Sequence, residues 1–161
     1  MTTLTVTSVL EETVAGFKLL AEMSGTPYAG SFYEWVLDHG QAMNGDRVDI
    51  ELGEPQDCFR NAGTIALEHG NWRYCEGYAL TKTVPIPILH GWLINDEGDL
   101  ADPTWGLNGH SYHGVIFEES EYGAAVYGSE HYNVIEWVAN YLPRADPWIQ
   151  EALQRFERES S

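Results

Sequence analysis

A chain of 161 residues is long enough to bury a core within one domain, and a 43% hydrophobic content with six Trp and nine Tyr excludes a disordered chain. The 25 acidic residues outnumber the 8 Lys and Arg residues, and the net charge of −17 argues against nucleic acid as a direct ligand because phosphates are repelled. This charge permits a cationic substrate or a basic protein partner. An acidic surface that serves only to keep the protein soluble would have the same charge.

The sequence shows no signal for export or membrane insertion. Two cysteines do not make a disulfide framework. No Lys or Arg precedes Lys18, so the charged flank of a signal peptide is missing, and no apolar run approaches the roughly 18 residues of a membrane span. We therefore expect a cytoplasmic protein that has reduced thiols and no membrane partner.

The first third of the chain is predicted to be helical. Apolar residues recur at helical spacing over residues 8–23, and a second helix is predicted over residues 31–43, with Ser31 as its cap and Glu34 completing a capping box. Gly, Asp and Pro break the pattern over residues 44–55. A third amphipathic helix is predicted over residues 58–70, and it begins at Cys58, whereas a structural cysteine more usually lies mid-element on an apolar face.

The middle of the chain changes to the pattern of strands. Alternating aromatic residues predict a strand over residues 72–82. Prolines, which favour extended backbone, begin a second predicted strand over residues 85–94. Two further short strands are predicted over residues 99–105 and 111–117. Helical spacing returns over residues 129–142 and 146–160. The sequence therefore predicts one α+β domain over residues 1–161, with N-terminal helices, an antiparallel meander of about four strands, and C-terminal helices.

Three chemically active residues fall on adjacent predicted elements. Cys58 opens a helix, His90 lies on a strand, and Asp102 lies on the next strand across a hairpin. If Gly98 is the left-handed residue of a three-residue loop, Asn95 pairs with Asp99, and Asp102 becomes the diagonal neighbour of His90 on the same face. A slip of one residue would put the two side chains on opposite faces.

These residue types suit nucleophilic catalysis by a thiol. A helix N-terminus favours the thiolate form of Cys58, and an imidazole beside it takes the proton and later returns it. A carboxylate on the far ring nitrogen fixes the tautomer and stabilises the imidazolium. The Cys58 N–H is a candidate oxyanion donor, with the Gln56 side chain as a second candidate, while Asp57 would oppose the thiolate unless it caps the helix or pairs with Arg60.

The phrases CFRNA, YCEGYA and HGWLINDEGDLADPTW together resemble transglutaminase-like proteins, in particular small bacterial and phage members of that superfamily. The resemblance covers residues 55–117 and implies a papain-like core. It further implies that Cys58 is the nucleophile, His90 the base and Asp102 the orienting acid of a cysteine protease, another amide hydrolase or an acyltransferase. Peptides, amides or amines would be the substrates, and no cofactor is called for.

Other interpretations of these residues remain open. A single cysteine is more often part of the core, and that interpretation is favoured for Cys75, which lies mid-strand between aromatic residues. Trp92 and Trp105 belong either to the core or to the wall of a substrate cleft. His110 and His113 suggest a metal site with Asp102, but their spacing is loose, so we predict no metal.

Two functions from different classes follow. The first is a thiol-dependent amide hydrolase or acyltransferase that works through a Cys58 acyl-enzyme. The second is a non-catalytic acidic binding or inhibitor protein on the same fold, which would occupy a basic partner surface.

Overall fold

The computed structural model describes residues 3–120, 122, 123 and 133, and this part of the chain is an α+β structure, as predicted. Its helices are α1 (Val6–Ser24), α2 (Ser31–His39) and α3 (Cys58–Glu68). Its strands are β1 (Gln41–Met43), β2 (Arg47–Val48), β3 (Arg73–Thr81), β4 (Ile88–Ile94), β5 (Leu100–Ala101) and β6 (Gly109–Ile116). The helices predicted over residues 129–142 and 146–160 lie outside the described residues, apart from residue 133.

The helix boundaries follow local capping chemistry. The Thr5 side chain accepts the Ser8 N–H at the start of α1, and Gly25 ends that helix in the left-handed region at φ 68°. Helix α2 begins at Ser31 itself, and the cap position falls on Gly30, so the predicted capping box is one residue out of place. The Glu34 carboxylate instead accepts a hydrogen bond from the Lys18 ammonium at 2.7 Å.

The six strands form one mixed sheet in the order β1-β6-β3-β4-β5-β2. The predicted plain meander is therefore wrong: β3, β4 and β5 do pair in sequence, but β6 returns to the free edge of β3, and β2 lies parallel to β5. Strands β1 and β2 lie where the sequence predicted the end of a helix and a break. They are too short to show an alternating pattern, and they pair with strands that are distant in the sequence.

The sheet packs apolar side chains on both faces. One face meets the three helices, and its core includes Val6, Leu10, Ala62, Tyr74 and Leu93. The other face holds a smaller cluster built from Met43, Cys75, Trp92, Leu100 and Tyr112. Because side chains alternate along a strand, His90 shares the face of Trp92 and points to the side of the second cluster.

No helix within the described ranges combines the length and the apolar character needed to cross a membrane.

Candidate active site

A tight hairpin sets the register between β4 and the segment that carries Asp102. Gly98 adopts φ 85°, and Asn95 pairs with Asp99 through a hydrogen bond from the Asn95 N–H to the Asp99 carbonyl at 3.0 Å. Leu93 then pairs with Ala101, so Asp102 follows as the diagonal neighbour of His90. The predicted three-residue loop and its register are confirmed. The Asn95 side chain stabilises the loop by accepting two backbone N–H groups.

The Asp102 carboxylate accepts four hydrogen bonds although it is 98% buried. Oδ1 accepts the backbone N–H groups of Thr104 at 3.0 Å and Trp105 at 2.9 Å. Oδ2 accepts the His90 Nε2–H at 2.8 Å and the Tyr112 hydroxyl at 2.7 Å. Burial alone raises the pKa of Asp102, but these donors and the charge of His90 outweigh it and hold the pKa below its ordinary value.

His90 is 99% buried and stacks against an indole ring. Its ring centroid lies 3.7 Å from that of Trp105, and the two planes differ by 12°. Burial lowers the pKa of His90, but the hydrogen bond to Asp102, the neighbouring Cys58 side chain and the charge of Asp102 raise it, and the net pKa lies above its ordinary value. Since Nε2 is bonded to Asp102, the ring nitrogen that remains for the thiol is Nδ1.

Cys58 is the first residue of α3, is half-buried, and lies close enough to His90 for its side chain to influence the pKa of the imidazole. Gly91 allows this contact, because a Cβ added there would lie 3.3 Å from the Cys58 carbonyl oxygen and 3.2 Å from the Phe59 ring. The two-residue strand β5 pairs with β4 at Leu93 and Ile94. This pairing ends before Gly91, the residue of β4 beside which α3 begins. The structure thus brings Cys58, His90 and Asp102 together.

The residues immediately before Cys58 leave its helix start uncapped by a side chain. Asp57 makes no capping hydrogen bond, and its carboxylate lies 3.6 Å from the Arg60 guanidinium. Pairing with Arg60 is one of the two arrangements in which Asp57 would not oppose a thiolate at Cys58. Gln56 is exposed and adopts φ 63°, a strained conformation for a residue with a side chain. Its position beside the start of α3 keeps it a candidate oxyanion donor.

The two tryptophans differ in exposure. Trp92 is fully buried and donates its indole N–H to the Met43 sulfur at 3.2 Å, so it belongs to the core of the second sheet face. Trp105 is half-buried and covers one face of the His90 ring. Cys75 is fully buried, and burial raises its pKa above the ordinary range, as fits the structural role predicted for it.

The two histidines considered as metal ligands have other partners. His110 Nε2 bonds to the Leu4 carbonyl at 3.0 Å. His113 bonds through Nδ1 to the Thr7 hydroxyl and through Nε2 to the Leu37 carbonyl. Among the residues whose placement the structure describes, no group of three His, Cys, Asp or Glu side chains is arranged to hold a metal ion.

An open groove of about 610 Å³ lies along α3, beginning within one turn of Cys58. Asn61 and Glu54 line this groove, and the Asn61 amide donates hydrogen bonds to the Glu54 carbonyl at 2.8 Å and to the Thr104 hydroxyl at 2.9 Å. Glu51, Glu54 and Arg60 contribute its charged lining. The triad residues themselves are not among its described lining residues.

Comparisons with family models, curated proteins and solved structures returned no match. The candidate site therefore rests on the sequence and the geometry of this chain.

Sequence reasoning missed two residues of the site, Tyr112 and Gly91. Tyr112 reaches Asp102 from β6, which is three strands away from β5 in the sheet order, so no local spacing announces it. Gly91 lies inside the HGW phrase, and a glycine within a strand is a known signal of close backbone approach. That signal was available in the sequence.

Proposed function

We propose that the protein is a thiol-dependent acyl-transfer enzyme, an amide hydrolase or acyltransferase, in which Cys58 is the nucleophile. The observation that carries the proposal is the convergence of three groups: a half-buried thiol at a helix start, an imidazole beside it, and a buried carboxylate bonded to Nε2 of that imidazole. The resemblance of residues 55–117 to transglutaminase-like proteins supports the same assignment and a papain-like core.

The first half of the reaction forms the acyl-enzyme. The Cys58 thiol gives its proton to His90 Nδ1, and the thiolate attacks the substrate carbonyl carbon, so that a C–S bond forms and the carbonyl oxygen becomes an oxyanion. The Cys58 N–H is positioned to donate to that oxygen because the Asp57 side chain does not occupy the helix start. The imidazolium then protonates the leaving amine, the C–N bond breaks, and a thioester remains.

The second half releases the acyl group. His90 Nδ1 removes a proton from water or from an acceptor amine, which attacks the thioester carbonyl, and the C–S bond breaks to return the thiol. Asp102 keeps the Nε2–H tautomer throughout and offsets the positive charge of the imidazolium, and its low pKa keeps it ionised. Water gives hydrolysis, whereas an amine gives transfer.

The surroundings favour a peptide or amide substrate with a cationic part. We infer that the non-reacting part of a substrate binds in the groove along α3, because the groove begins within one turn of Cys58 and Glu51 and Glu54 line it. The net charge of −17 favours the approach of a basic peptide or amine acceptor to the surface. We expect such an enzyme to work in the cytoplasm, where its two free thiols stay reduced.

The second candidate is an acidic binding or inhibitor protein that keeps this geometry without turnover. The acidic residues near the site, with Asp57 directly before the thiol, favour it, because they suit a basic partner surface. The two candidates differ in one measurable respect, which is whether Cys58 forms an acyl adduct that then turns over.

The experiment is intact-mass measurement after mixing the protein with an activated ester such as p-nitrophenyl acetate. We expect a single acetyl adduct on Cys58 that decays with time, and faster decay when a primary amine is added if the enzyme is a transferase. Cys58→Ser and His90→Ala are the test variants, and Cys75→Ser is the matched control, since it removes the other thiol and leaves the site intact.

A Cys58 adduct that forms in the wild type and the Cys75→Ser protein, but not in Cys58→Ser or His90→Ala, supports the enzyme. Absence of any adduct on folded wild-type protein refutes it. A stable adduct that never decays favours the binding protein.

A further inference from the structure

The Asp102 carboxylate has a side-chain donor that the proposed chemistry does not use. Tyr112 donates its hydroxyl to Oδ2 at 2.7 Å, the same oxygen that accepts His90 Nε2–H at 2.8 Å. Tyr112 is 99% buried, as is the imidazole. A buried hydrogen bond to a charged group is stronger than one between neutral groups, so this contact acts directly on the charge that faces His90.

The fold leaves space for this hydroxyl at one glycine. A Cβ added to Gly109 would fall on the Tyr112 hydroxyl oxygen and lie 3.3 Å from Asp102 Oδ2. The Tyr112 ring also packs against Trp92, with ring centroids 5.0 Å apart. Gly109 and Trp92 therefore hold the phenol where its hydroxyl reaches Asp102.

The Arg47 guanidinium lies over the face of the Tyr112 ring. The Arg47 guanidinium carbon is 4.6 Å from the Tyr112 ring centroid, and its N–H groups are held by the carbonyls of Gly45 at 3.2 Å and His110 at 2.9 Å. A cation over the ring withdraws electron density from the phenol, which makes the hydroxyl a stronger hydrogen-bond donor. Arg47 and Tyr112 together thus act on Asp102 in the same direction.

The phenol can only donate to Asp102. Burial, and then the charge of Asp102, raise the pKa of Tyr112 far above its ordinary value, so the hydroxyl stays protonated at any working pH. In the described part of the chain, the charged groups that act on Tyr112 are Asp102 and Arg47, and those that act on His90 are Asp102 and Cys58. Asp102 is the charged group common to both sets.

We propose that Tyr112 is a positioning residue for His90, acting through Asp102: it fixes the orientation of the carboxylate and reduces the negative charge that Oδ2 presents to the imidazole. This inference deepens the proposed function and assigns to β6 a part in setting the basicity of the catalytic base. Without the Tyr112 hydroxyl, Asp102 Oδ2 presents its full negative charge to the imidazolium, and the pKa of His90 rises.

The test measures the titration of His90 by NMR in the Cys58→Ser background, where no thiol titrates beside it. Removing the hydroxyl with Tyr112→Phe should raise the His90 pKa by about half a unit to one unit, as the loss of one donor from a neighbouring carboxylate does. Placing 3-fluorotyrosine at 112, which is nearly the same size but a stronger donor, should shift the titration in the opposite direction. The signal of His90 is assigned by its loss in His90→Ala.

Two controls isolate the effect. Tyr122→Phe removes another buried tyrosine hydroxyl, which bonds to the neutral Ala66 carbonyl at 3.3 Å, and should leave the His90 titration unchanged. Combining Tyr112→Phe with Asp102→Asn should give the same titration as Asp102→Asn alone, because phenylalanine keeps the ring and the proposal has the hydroxyl act through that carboxylate.

Opposite shifts with phenylalanine and 3-fluorotyrosine, both abolished in the Asp102→Asn background, support the proposal. An unchanged titration with 3-fluorotyrosine, which preserves the fold if Tyr112→Phe does not, overturns it. Because the readout needs no substrate, it is independent of the acyl-enzyme experiment. A shift without any acyl adduct removes the proposed function and leaves the Tyr112 contact intact, whereas an acyl adduct without a shift removes only this inference.

Discussion

Replacing Asp102 by Asn tests how the carboxylate controls His90. The carboxylate accepts from four donors, two on each oxygen. An Asn side chain keeps its oxygen for the backbone N–H groups of Thr104 and Trp105 and turns its NH₂ toward His90 and Tyr112. The imidazole must then accept at Nε2 and carry its proton on Nδ1, where it can no longer take the proton of Cys58.

The magnitude follows from this mispairing. We expect acyl transfer to fall by roughly 10⁴-fold, as catalysis does when the orienting acid of a triad becomes an amide. The rate of Cys58 alkylation by iodoacetamide near neutral pH should fall only by roughly 10 to 30-fold, to that of an ordinary thiol, because a free thiol is still a few per cent thiolate at that pH. The free energy of unfolding should fall by only about 1–3 kcal/mol, because the amide is nearly isosteric and loses charge-assisted hydrogen bonds but also removes a buried charge.

The assay is the second-order rate constant of Cys58 alkylation as a function of pH, with circular dichroism to check the fold. Asp96→Asn is the matched control, since it makes the same change of charge at an exposed position of the same hairpin. Equal pH profiles for well-folded Asp102→Asn and wild-type protein would refute the reasoning, and His90 would then have no oriented role toward Cys58.

Three further predictions concern the same site. Gly91→Ala should slow Cys58 alkylation and destabilise the fold by about 1–3 kcal/mol, because the added Cβ meets the backbone of α3 at 3.3 Å; unchanged values, read by alkylation rate and chemical denaturation, would show that α3 does not depend on this close approach. The stability difference between wild type and Asp102→Asn should begin to shrink below about pH 4 and disappear as the pH falls through the folded pKa of Asp102, since a depressed carboxylate pKa contributes stability that is complete only above the unfolded pKa. The raised pKa of His90 contributes stability that is complete below about pH 6.5 and is lost as the pH rises through the folded value, so the stability difference between wild type and His90→Ala should shrink with rising pH in urea titrations and level off at the packing contribution of the buried ring.

The sequence predicts well what is decided locally. The hairpin register follows from the turn chemistry of Asn95 and Gly98, and that register alone places Asp102 on the face of His90. The start of α3 at Cys58 is also predicted, because the amphipathic pattern begins there.

The remainder depends on contacts between distant segments. The return of β6 to β3 creates the contact of Tyr112 with Asp102, and neither follows from the spacing of residues along the chain. Strands β1 and β2 have three and two residues and exist only because β6 and β5 offer them partners. The exposure of Trp105, against the full burial of Trp92, is likewise set by packing on the sheet and not by residue type.

The central claim is that His90 activates Cys58, and a competition experiment tests it most directly. Wild-type and His90→Ala proteins are labelled briefly with iodoacetamide at mildly acidic pH, with glutathione present as a free thiol, and peptide mapping quantifies Cys58 and Cys75. We predict that Cys58 in the wild type is labelled faster than glutathione, that buried Cys75 is not labelled, and that His90→Ala loses the advantage of Cys58. Labelling of Cys58 no faster than glutathione, or equally fast in folded His90→Ala, would contradict the claim.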